Sequence, residues 1–411
     1  MREHTVSVQW PSNGLTEIPF ELYSSVSQYE LEVERIYKGP AWSYLGLLGA
    51  LTNPGDYFTT FIGETSVIVV LGEDGEPRGF VNRCVHRGAM LCLAPRGNVD
   101  RFTCVYHAWS YDLQGRLASV AFQGGIKGQG GMPRDFDLGH YRLREFQVEA
   151  YCGLLFGTFE RTAPPLEDYL GERVAQFIQR VMCKPVRVIG ENVQRLPNNW
   201  KLYIENVKDS YHASILHTFF TTFRLNRLTQ AGEIVVDESG GNHVSYSKTD
   251  TSHDNRDYDR GKLRSSRHDY LLADPAVIDS VDEFGDGIGV QILSVFPSFV
   301  LQQVRNSIAL RQILPRGPAA TELRWTYLGF EDDDEAMTLR RLRQGNLVGP
   351  AGYISMEDGA IGGFVQRGIR GVEEDQGIVT MGGVDATSSP SRVTEASVRG
   401  FWKKYRALMD D

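Results

Sequence analysis

Two short segments of the chain each pair one cysteine with one histidine. They read Cys84-x-His86 and Cys104-x-x-His107, embedded as CVHRGA and CVYHAW. This pattern constrains the fold strongly, because four side chains on two loops must meet at one point if they hold one metal group. A structural zinc site is one alternative, although zinc sites usually space their cysteines C-x2-4-C and their histidines H-x3-5-H. Unrelated loop residues are the other alternative.

Two thiolates and two imidazoles suit a [2Fe-2S] cluster in which Cys84 and Cys104 hold one iron and His86 and His107 hold the other. Replacing two thiolates by neutral imidazoles removes negative charge and raises the reduction potential into the Rieske range, roughly −150 to +300 mV. We predict a compact all-β domain around these loops, because hairpin tips can present the two ligand pairs from opposite sides. The strand-like segments that support it include SVIVVL, GFVNRC and GLLFGTF.

Length and composition limit what else the chain can be. Its 411 residues leave room for two or three domains, and a net charge of −9 without a basic cluster argues against nucleic acid as a partner. The longest apolar run, near 41–51, is too short to span a bilayer, and the first residues lack the order of a signal peptide. Cys92, Cys152 and Cys183 are predicted to be buried thiols, which favours a reducing cytoplasm.

The remaining chain alternates helical and strand-like patterns. Residues 250–270 are polar and charged, and we predict a solvated excursion or a flexible lid there. The predicted helices lie near 172–182, from Asn199 onward, near 331–345, after Gly349-Pro350, and from Thr394 to the terminus. The predicted strands are a hairpin within 230–248, FVLQQVR and IALRQILP on either side of Asn306-Ser307, and ELRWTYLGF.

The helical segment from Asn199 contains a second candidate metal site. His212 and His217 are five residues apart, which separates them by about 140° on an ideal helix, so the helix must be distorted if both bind one ion. Two histidines and a carboxylate form the facial triad of non-haem iron(II) oxygenases. The alternative is that both histidines are packing residues, and the two residues alone favour it. The cluster motif reverses that preference, because a cluster must deliver its electrons somewhere.

The Cys/His motif, followed by Asn-x2-Asp-x2-His-x4-His, resembles the large (α) subunits of the Rieske non-haem iron ring-hydroxylating oxygenases over essentially the whole chain. The resemblance implies an α+β fold in which an all-β Rieske domain is inserted in a catalytic domain of helix-grip type, with an antiparallel sheet and covering helices. It assigns residues 1–40 to the N-terminal helical part of the catalytic domain, 41–160 to the Rieske domain and 161–411 to the catalytic domain with its mononuclear iron.

The third iron ligand comes only from this resemblance. In the family an aspartate follows a Gly-Pro-Ala-Gly stretch, which here is residues 349–352, and SMEDGA comes next. The matching residue is Asp358, which completes a predicted iron site with His212 and His217. Glu357 is the less favoured neighbour, since adjacent helical side chains point about 100° apart.

Asp209 is implied to link the two centres rather than to bind iron. In the family it hydrogen-bonds a cluster histidine of one subunit, here His107, and an iron histidine of the next, here His212. Such contacts imply a head-to-tail ring of three α subunits. Asn206, one helical turn earlier, is predicted either to lie near the iron or to be a helix-surface amide.

Arg311 suggests a negatively charged substrate. On the predicted strand IALRQILP it alternates with Ala309 and Ile313, so it shares an apolar face that should point inward. An inward arginine without a partner costs several kcal/mol, and a guanidinium can hold a carboxylate through two parallel hydrogen bonds. An internal salt bridge is the alternative.

Within the family the chain resembles members that act on terephthalate, with relatives acting on salicylate, anthranilate or halobenzoate as alternatives. It implies Arg392 as a second cation across a para-dicarboxylate and Ser245 as a hydroxyl at the first carboxylate. The stretches that carry this resemblance are KGQGGMP, PNNWKLYIENVKDSYHAS, VDESGG and GPAGYISMEDGAIGGFVQRG.

Three classes of function are compatible with a Rieske motif: an oxygenase, an electron carrier, and a binding protein that has lost its iron. A carrier would need only the region near 42–159, and the complete set of His212, His217 and Asp358 argues against the second and third classes. No dinucleotide fingerprint is present, so a separate NADH-dependent reductase is expected. The resemblance also implies a small β subunit in an α3β3 assembly, and a product that is a cis-dihydrodiol.

Overall fold

The computed structural model describes residues 8, 10–11, 14–249, 256–263 and 270–410. The chain divides into a larger unit, Met1–Glu32 with Glu167–Asp411, and a smaller unit, Val33–Leu166. The divisions therefore fall after residues 32 and 166, whereas the sequence assignment places them after 40 and 160. Near the start of the smaller unit Tyr37 packs against Gly63, and at its end the Leu166 amide donates to Glu149. Both ends of Val33–Leu166 therefore contact the rest of the smaller unit. Within the described residues no helix is long and apolar enough to cross a membrane.

The N-terminal part of the chain contributes a short strand and a helix, β1 (Glu17–Pro19) and α1 (Val26–Glu32). The smaller unit follows and is built from strands. Their bounds are β2 (Ser43–Leu47), β3 (Asp56–Ile62), β4 (Thr65–Leu71), β5 (Pro77–Val81), β6 (Arg96–Asn98), β7 (Phe102–Thr103), β8 (Ser110–Tyr111), β9 (Leu117–Ser119), β10 (Glu145–Tyr151) and β11 (Leu154–Thr158).

In the described part of the smaller unit, seven strands pair antiparallel in the order β2-β11-β10-β5-β4-β3-β6, and β7-β8-β9 form a second sheet. The core between them contains Ile68 and Phe80 together with Cys84, Cys104 and Trp109. Thus the two candidate cluster cysteines are part of the hydrophobic core, and the predicted all-β architecture is confirmed.

The larger unit combines helices with one long sheet. Its elements are α2 (Leu166–Leu170, at the boundary), α3 (Glu172–Val181), β12 (Val186–Leu196), α4 (Trp200–Lys208), α5 (Ser210–Leu216), α6 (Thr218–Thr222), β13 (Gly232–Val236), β14 (His243–Lys248), α7 (Arg256–Arg260), β15 (Ile288–Val295), β16 (Phe299–Val304), β17 (Ser307–Pro315), β18 (Thr321–Phe330), α8 (Glu335–Val348), α9 (Ser355–Gly368), β19 (Gln376–Ile378) and α10 (Ala396–Met409).

Strands β12-β18-β17-β16-β15-β14-β13 form an antiparallel sheet in the described part of this unit, and β1 pairs with β19. Helices α4 and α8 pack against β17, and α3 packs against β14 and β15. This arrangement confirms the predicted α+β class with an antiparallel sheet and covering helices.

The strand register places several polar residues on one face of this sheet. Ser245 lies opposite Ile292, Ile292 opposite Gln302, and Gln302 opposite Ala309. Arg311 is two residues beyond Ala309 and therefore shares the same face. This face points into the unit, because Ile292, Gln302 and Arg311 line one internal cavity.

The predicted polar excursion over 250–270 lies partly outside the described residues, namely at 250–255 and 264–269. Between them, Tyr258 on α7 is buried, and its hydroxyl pairs with Ser214 at 2.7 Å and accepts from the Leu228 amide at 2.9 Å. The prediction of a solvated segment is therefore wrong at Tyr258, because an aromatic ring anchors α7 to the unit.

The prediction that three cysteines are buried holds for only one of them. Cys92 is buried, whereas Cys152 is partly exposed and Cys183 is exposed. Cys152 occupies the turn between β10 and β11, and Cys183 follows the end of α3. Connections of this kind run along the surface, and the residue type alone does not reveal that position.

Candidate metal centres

The two cluster-motif loops have matching backbone geometry. In the first, the Cys84 amide donates to Ala89 O and the Gly88 amide donates back to Cys84 O. In the second, Cys104 and Trp109 form the same bond, and the Ala108 amide donates to Cys104 O. The fourth residue after each cysteine is left-handed, with φ of 78° at Gly88 and 53° at Ala108. Equivalent turns therefore present one cysteine and one histidine each.

The two motif cysteines share one hydrophobic core, and the two motif histidines lie next to each other. Both cysteines are free thiols with 2% exposure, and the rings of His86 and His107 are 4.6 Å apart. His86 stacks on Trp109 at 4.5 Å with an interplanar angle of 5°. His107 Nδ1 is buried and lacks a hydrogen-bond partner among the described residues. A buried ring nitrogen without a partner is an available ligand atom.

In the larger unit, the helical segment from Asn199 breaks twice. Asp209, with ψ of 99°, ends α4 and caps α5 by accepting from the amides of Tyr211 and His212. His217, with ψ of 71°, ends α5 and precedes α6. The second break falls at His217 itself, so the angular separation expected on a continuous helix does not apply to the two histidines.

His212 and His217 meet Asp358, which α9 delivers. Asp358 Oδ1 lies 3.4 Å from His212 Nε2 and 3.3 Å from His217 Nε2. One ligand atom from each of the three residues fits within 4.8 Å of the others. Asn206 Nδ2 lies 3.2 Å from the same Asp358 oxygen, so Asn206 belongs to this site and is not a surface amide.

Each histidine is held from behind by a second carboxylate. His212 Nδ1 lies 3.2 Å from Asp209 Oδ2, and His217 Nδ1 lies 2.7 Å from Glu357 Oε2. A carboxylate on one ring nitrogen fixes the tautomer and leaves the other nitrogen free for a metal. The role of Glu357 was missed from the sequence. Its position next to Asp358 was the signal that could have revealed this role. A carboxylate beside a ligand residue that does not bind the metal itself can still reach the other ring nitrogen of a ligand histidine, as Glu357 does with His217.

The electrostatics of this site favour a cation. Burial lowers the pKa of His212, but hydrogen bonds and charges from Asp209 and Asp358 more than offset it and raise the pKa to about 10. Burial raises the pKa of Asp358, yet the two histidines hold it below its usual range. Three clustered carboxylates around two imidazoles thus stabilise positive charge at their centre.

Comparison with known families decides what this pair of sites represents. The model of the ring hydroxylating alpha subunit (catalytic domain) matches residues 184–411, and that of the Rieske [2Fe-2S] domain matches residues 41–128. The chain belongs to the ring-hydroxylating α subunits. It is a Rieske aromatic-ring-hydroxylating dioxygenase component, which confirms the predicted class of enzyme.

Individual relatives agree with this family. The chain is 53% identical to the terephthalate 1,2-dioxygenase terminal oxygenase component subunit alpha 2 of Comamonas sp., over 98% of this chain and 97% of the relative. It is 40% identical to the anthranilate 1,2-dioxygenase large subunit of Burkholderia cepacia, over 99% and 97%. The crystal structure of naphthalene 1,2-dioxygenase from Rhodococcus sp. superposes with a TM-score of 0.79 at 23% identity, covering 96% and 94% of the two chains, and supports the fold.

A ring-hydroxylating α subunit of this kind carries a Rieske [2Fe-2S] cluster and a mononuclear non-haem iron. The donor sets fit both groups. Two core thiols and two neighbouring imidazoles, one with an unpaired buried nitrogen, suit the cluster. Two imidazoles and one carboxylate whose ligand atoms converge suit iron(II), with positions left open.

A small cavity of ≈ 60 Å³ adjoins the three convergent residues, and Arg311 lines it. The guanidinium is 3% exposed, donates to Tyr203 OH at 2.7 Å and to Gln302 Oε1, and lies 4.7 Å from the centre of the Trp325 ring. Among the described residues no carboxylate lies within ion-pair distance of it, and its Nε has no partner. The described residues therefore provide no internal salt bridge for Arg311.

Arg392 and Ser245 lie near this cavity but do not line it. Arg392 is 4% exposed and donates to Asn226 Oδ1 at 2.8 Å and to Arg227 O, while Asn226 itself lines the cavity. Burial lowers the pKa of Arg392 to about 10. Ser245 is buried on β14, opposite the cavity residue Ile292. Asn226, Tyr203 and Gln302 were not identified from the sequence.

Proposed function

We propose that the protein is the oxygenase α subunit of an enzyme that cis-dihydroxylates an aromatic carboxylate, terephthalate, to its 1,2-cis-dihydrodiol. The reaction would use O2 and electrons from NADH that arrive through a separate reductase. The observation that carries this proposal is Arg311. It is a buried cation with no carboxylate partner among the described residues, and it lines the same cavity as His212, His217 and Asp358.

We assign Cys84, His86, Cys104 and His107 to the cluster. We assign His212, His217 and Asp358 to the mononuclear iron, as the predicted ligand set. Iron held there would supply the redox chemistry that adds both atoms of O2 to the ring. The positioning residues of this centre are Asp209, Glu357 and Asn206, which contact the ligand side chains.

A substrate carboxylate would replace contacts that Arg311 now makes with its neighbours. A guanidinium binds a carboxylate in a bidentate manner, whereas Tyr203 and Gln302 are neutral partners that only partly compensate a buried charge. The cavity is smaller than an aromatic acid, so entry of the ring requires side-chain movement. Apolar residues line the remaining wall and would pack on the ring: Phe220, Val290, Ile292, Val304 and Ile354.

Arg392 would hold the second carboxylate of a para-dicarboxylate, with Asn226 as its link to the cavity. This is supported by burial of Arg392 without an ion-pair partner among the described residues. Ser245 would assist at the first carboxylate, because it shares the inward sheet face with Arg311. One cation on the cavity wall and a second one beside it would favour a dicarboxylate over benzoate.

The assembly we propose is a ring of three α subunits with three small β subunits. The name of the 53%-identical relative, a terminal oxygenase component subunit alpha, supports partner subunits. The smaller unit exposes Val105, Tyr106 and Phe122 around the cluster loops, and the larger unit has an apolar cavity of ≈ 880 Å³ that includes Asp209. These surfaces suit contact between copies, through which Asp209 would reach His107. A cytoplasmic location is supported by five free thiols in the described chain.

The test is oxygen uptake and product identification with the holoenzyme and a matched reductase across six acids: terephthalate, isophthalate, phthalate, salicylate, anthranilate and benzoate. Terephthalate should give the highest kcat/KM and one equivalent of dihydrodiol per O2. Preference for a monocarboxylate would be consistent with an oxygenase but would contradict the assignment of terephthalate as the substrate.

Two variants separate the roles of the arginines. Arg311→Ala should lower kcat/KM for every aromatic acid by roughly 100-fold or more, because a buried charge pair is lost. Arg392→Ala should lower it by a similar factor for terephthalate but by less than about threefold for benzoate, which has no second carboxylate. Equal losses on both substrates would rule out the two-arginine clamp.

A further inference from the structure

The smaller unit has an arginine-lined cleft beside the first cluster loop. Its volume is ≈ 600 Å³, and its basic lining residues are Arg83, Arg142, Arg144 and Arg161. These four come from three separate parts of the chain, so no basic run marks the cleft in the sequence. The smaller unit contains thirteen Lys and Arg and thirteen Asp and Glu residues, so the cleft is a local concentration of positive charge in a neutral unit.

Two carboxylates, Glu145 and Glu160, also line the cleft, so its four arginines leave a net charge of +2. Glu145 pairs with Arg142, and Glu160 accepts from the amide and hydroxyl of Thr162. Arg144 lies 5.0 Å from the centre of the Phe159 ring. In the part of the chain that the structure describes, Arg83, Arg144 and Arg161 have no carboxylate within ion-pair distance.

The cleft is adjacent to the cluster ligands through the backbone. Arg83 and Val85 line it, and Cys84 lies between them. Val85 also lines the apolar surface around His86 and His107. A partner in the cleft would therefore contact residues that are adjacent in the chain to Cys84 and His86, which are assigned to different irons of the cluster.

We propose that this cleft docks an acidic, low-potential redox protein that delivers electrons to the cluster. The inference deepens the proposed function, since it assigns the surface that receives the electron donor and the charge of that donor. One electron moves per encounter, so the donor is oxidised by one electron and the cluster is reduced by one, without proton transfer.

A protein suits the cleft better than a small anion. Its arginines are exposed, and exposed single ion pairs bind weakly, whereas a protein surface sums many of them. Several like charges also steer a diffusing partner of opposite charge and raise its association rate, an effect that salt screens.

The experiment uses a reduced plant-type [2Fe-2S] ferredoxin with an acidic surface as the probe, because its potential lies below that of a Rieske cluster. Stopped-flow absorbance follows reduction of the cluster in the holoenzyme as salt is raised from about 20 to about 300 mM. A titration with oxidised ferredoxin gives Kd independently of electron transfer. The wild-type rate should fall by about tenfold over this range.

The variants compare charge at the cleft with charge elsewhere. Arg83→Gln, Arg144→Gln and Arg161→Gln together should slow reduction by about tenfold at low salt, raise Kd by a similar factor and remove most of the salt dependence. The corresponding lysine substitutions should retain the rate. Arg96→Gln is the control, because this exposed residue lies on β6, three strands away from β5 in the sheet.

Three results would overturn the proposal: a wild-type rate that does not fall with salt, an equal loss in Arg96→Gln, or lysine variants as slow as the glutamine variants. An unchanged EPR spectrum after dithionite reduction verifies that the cluster is intact. If the triple variant lacks the cluster, the same measurements are made on the three single variants. Single turnover of dithionite-reduced protein with terephthalate and O2 bypasses docking. Absence of product in this single-turnover experiment would contradict the proposed function but would not bear on the proposed docking surface.

Discussion

The cluster loops of the smaller unit and the iron site of the larger unit differ in how their ligands are brought together. Cys84, His86, Cys104 and His107 lie on two neighbouring loops with equivalent turns. His212 and Asp358 belong to different helices, and the backbone breaks at His217. A local site depends on turn geometry, whereas a long-range site depends on tertiary packing of the whole unit.

The difference extends to what surrounds the ligands. Around the cluster loops, apolar and basic side chains are exposed, which suits contact with other proteins. Around the iron site, each histidine is held by a buried or half-buried carboxylate, and the neighbouring cavity contains a buried arginine. Electron entry thus suits the smaller unit, and chemistry on a small anion suits the larger one.

The largest expected effect tests whether the two centres assemble independently. Cys84→Ser or Cys104→Ser should remove the cluster completely, because a hydroxyl is a poor substitute for a thiolate ligand. The mononuclear iron should remain, since its residues lie in the other unit. Iron and acid-labile sulfide analysis with EPR of the reduced protein measures both. Joint loss of both metals would contradict independent assembly, and zinc without a Rieske signal would contradict the cluster assignment.

Asp209→Asn should sharpen the comparison by separating metal binding from electron transfer. Asparagine can still cap α5, so the fold and both metals should be retained. Turnover should fall by about 100-fold or more, because an amide cannot accept hydrogen bonds from two imidazoles in the way a carboxylate can. Iron content and single-turnover product are measured together. Loss of the mononuclear iron with unchanged electron transfer would disprove the linking role.

Glu357→Gln tests the carboxylate whose contact with His217 only the structure revealed. It should weaken iron binding by about tenfold, since His217 loses the partner that orients its ring. Asp358→Asn should have a larger effect, because a ligand is removed. Iron affinity is measured by competition with a chelator, and Glu335→Gln on α8 is the exposed control. An effect of Glu357→Gln equal to that of Asp358→Asn would suggest that both acids bind iron.

The smallest effect concerns burial of charge in the larger unit. Burial raises the pKa of Glu205 to about 7, although hydrogen bonds from Tyr23 and Trp402 act in the opposite direction. The folded state therefore binds an extra proton between about pH 4.5 and 7, and stability falls as pH rises through that window. Glu205→Gln should stabilise the protein by about 2 kcal/mol at pH 8 and by little at pH 5.

Thermal unfolding at the two pH values measures this difference. Glu32→Gln is the matched contrast, because Glu32 is buried against Lys201 at 2.6 Å and its loss leaves a buried cation. It should destabilise the protein at both pH values. A gain for Glu205→Gln that does not depend on pH would contradict the titration of Glu205.

Much of the fold followed from local patterns. The strands on either side of Asn306, the hairpin within 230–248 and the C-terminal helix all formed where periodicity predicted them. The burial predictions failed at Cys152, Cys183 and Tyr258, because burial of a side chain depends on what packs over it and not on its neighbours in the chain. The positioning role of Glu357 was missed for a similar reason, since only the position of His217 gives its carboxylate a partner.

The sequence by itself determined the Cys/His spacing of the cluster loops, the position of Asp209 near His212, and the inward direction of Arg311 on its strand. Each follows from turn, helix or strand geometry within a few residues. Tertiary structure alone decided that Asp358 meets both histidines, that Arg311 has no carboxylate partner among the described residues, and that arginines from distant segments share one cleft. These outcomes depend on contacts between residues far apart in the chain, and such contacts exist only after the units have packed.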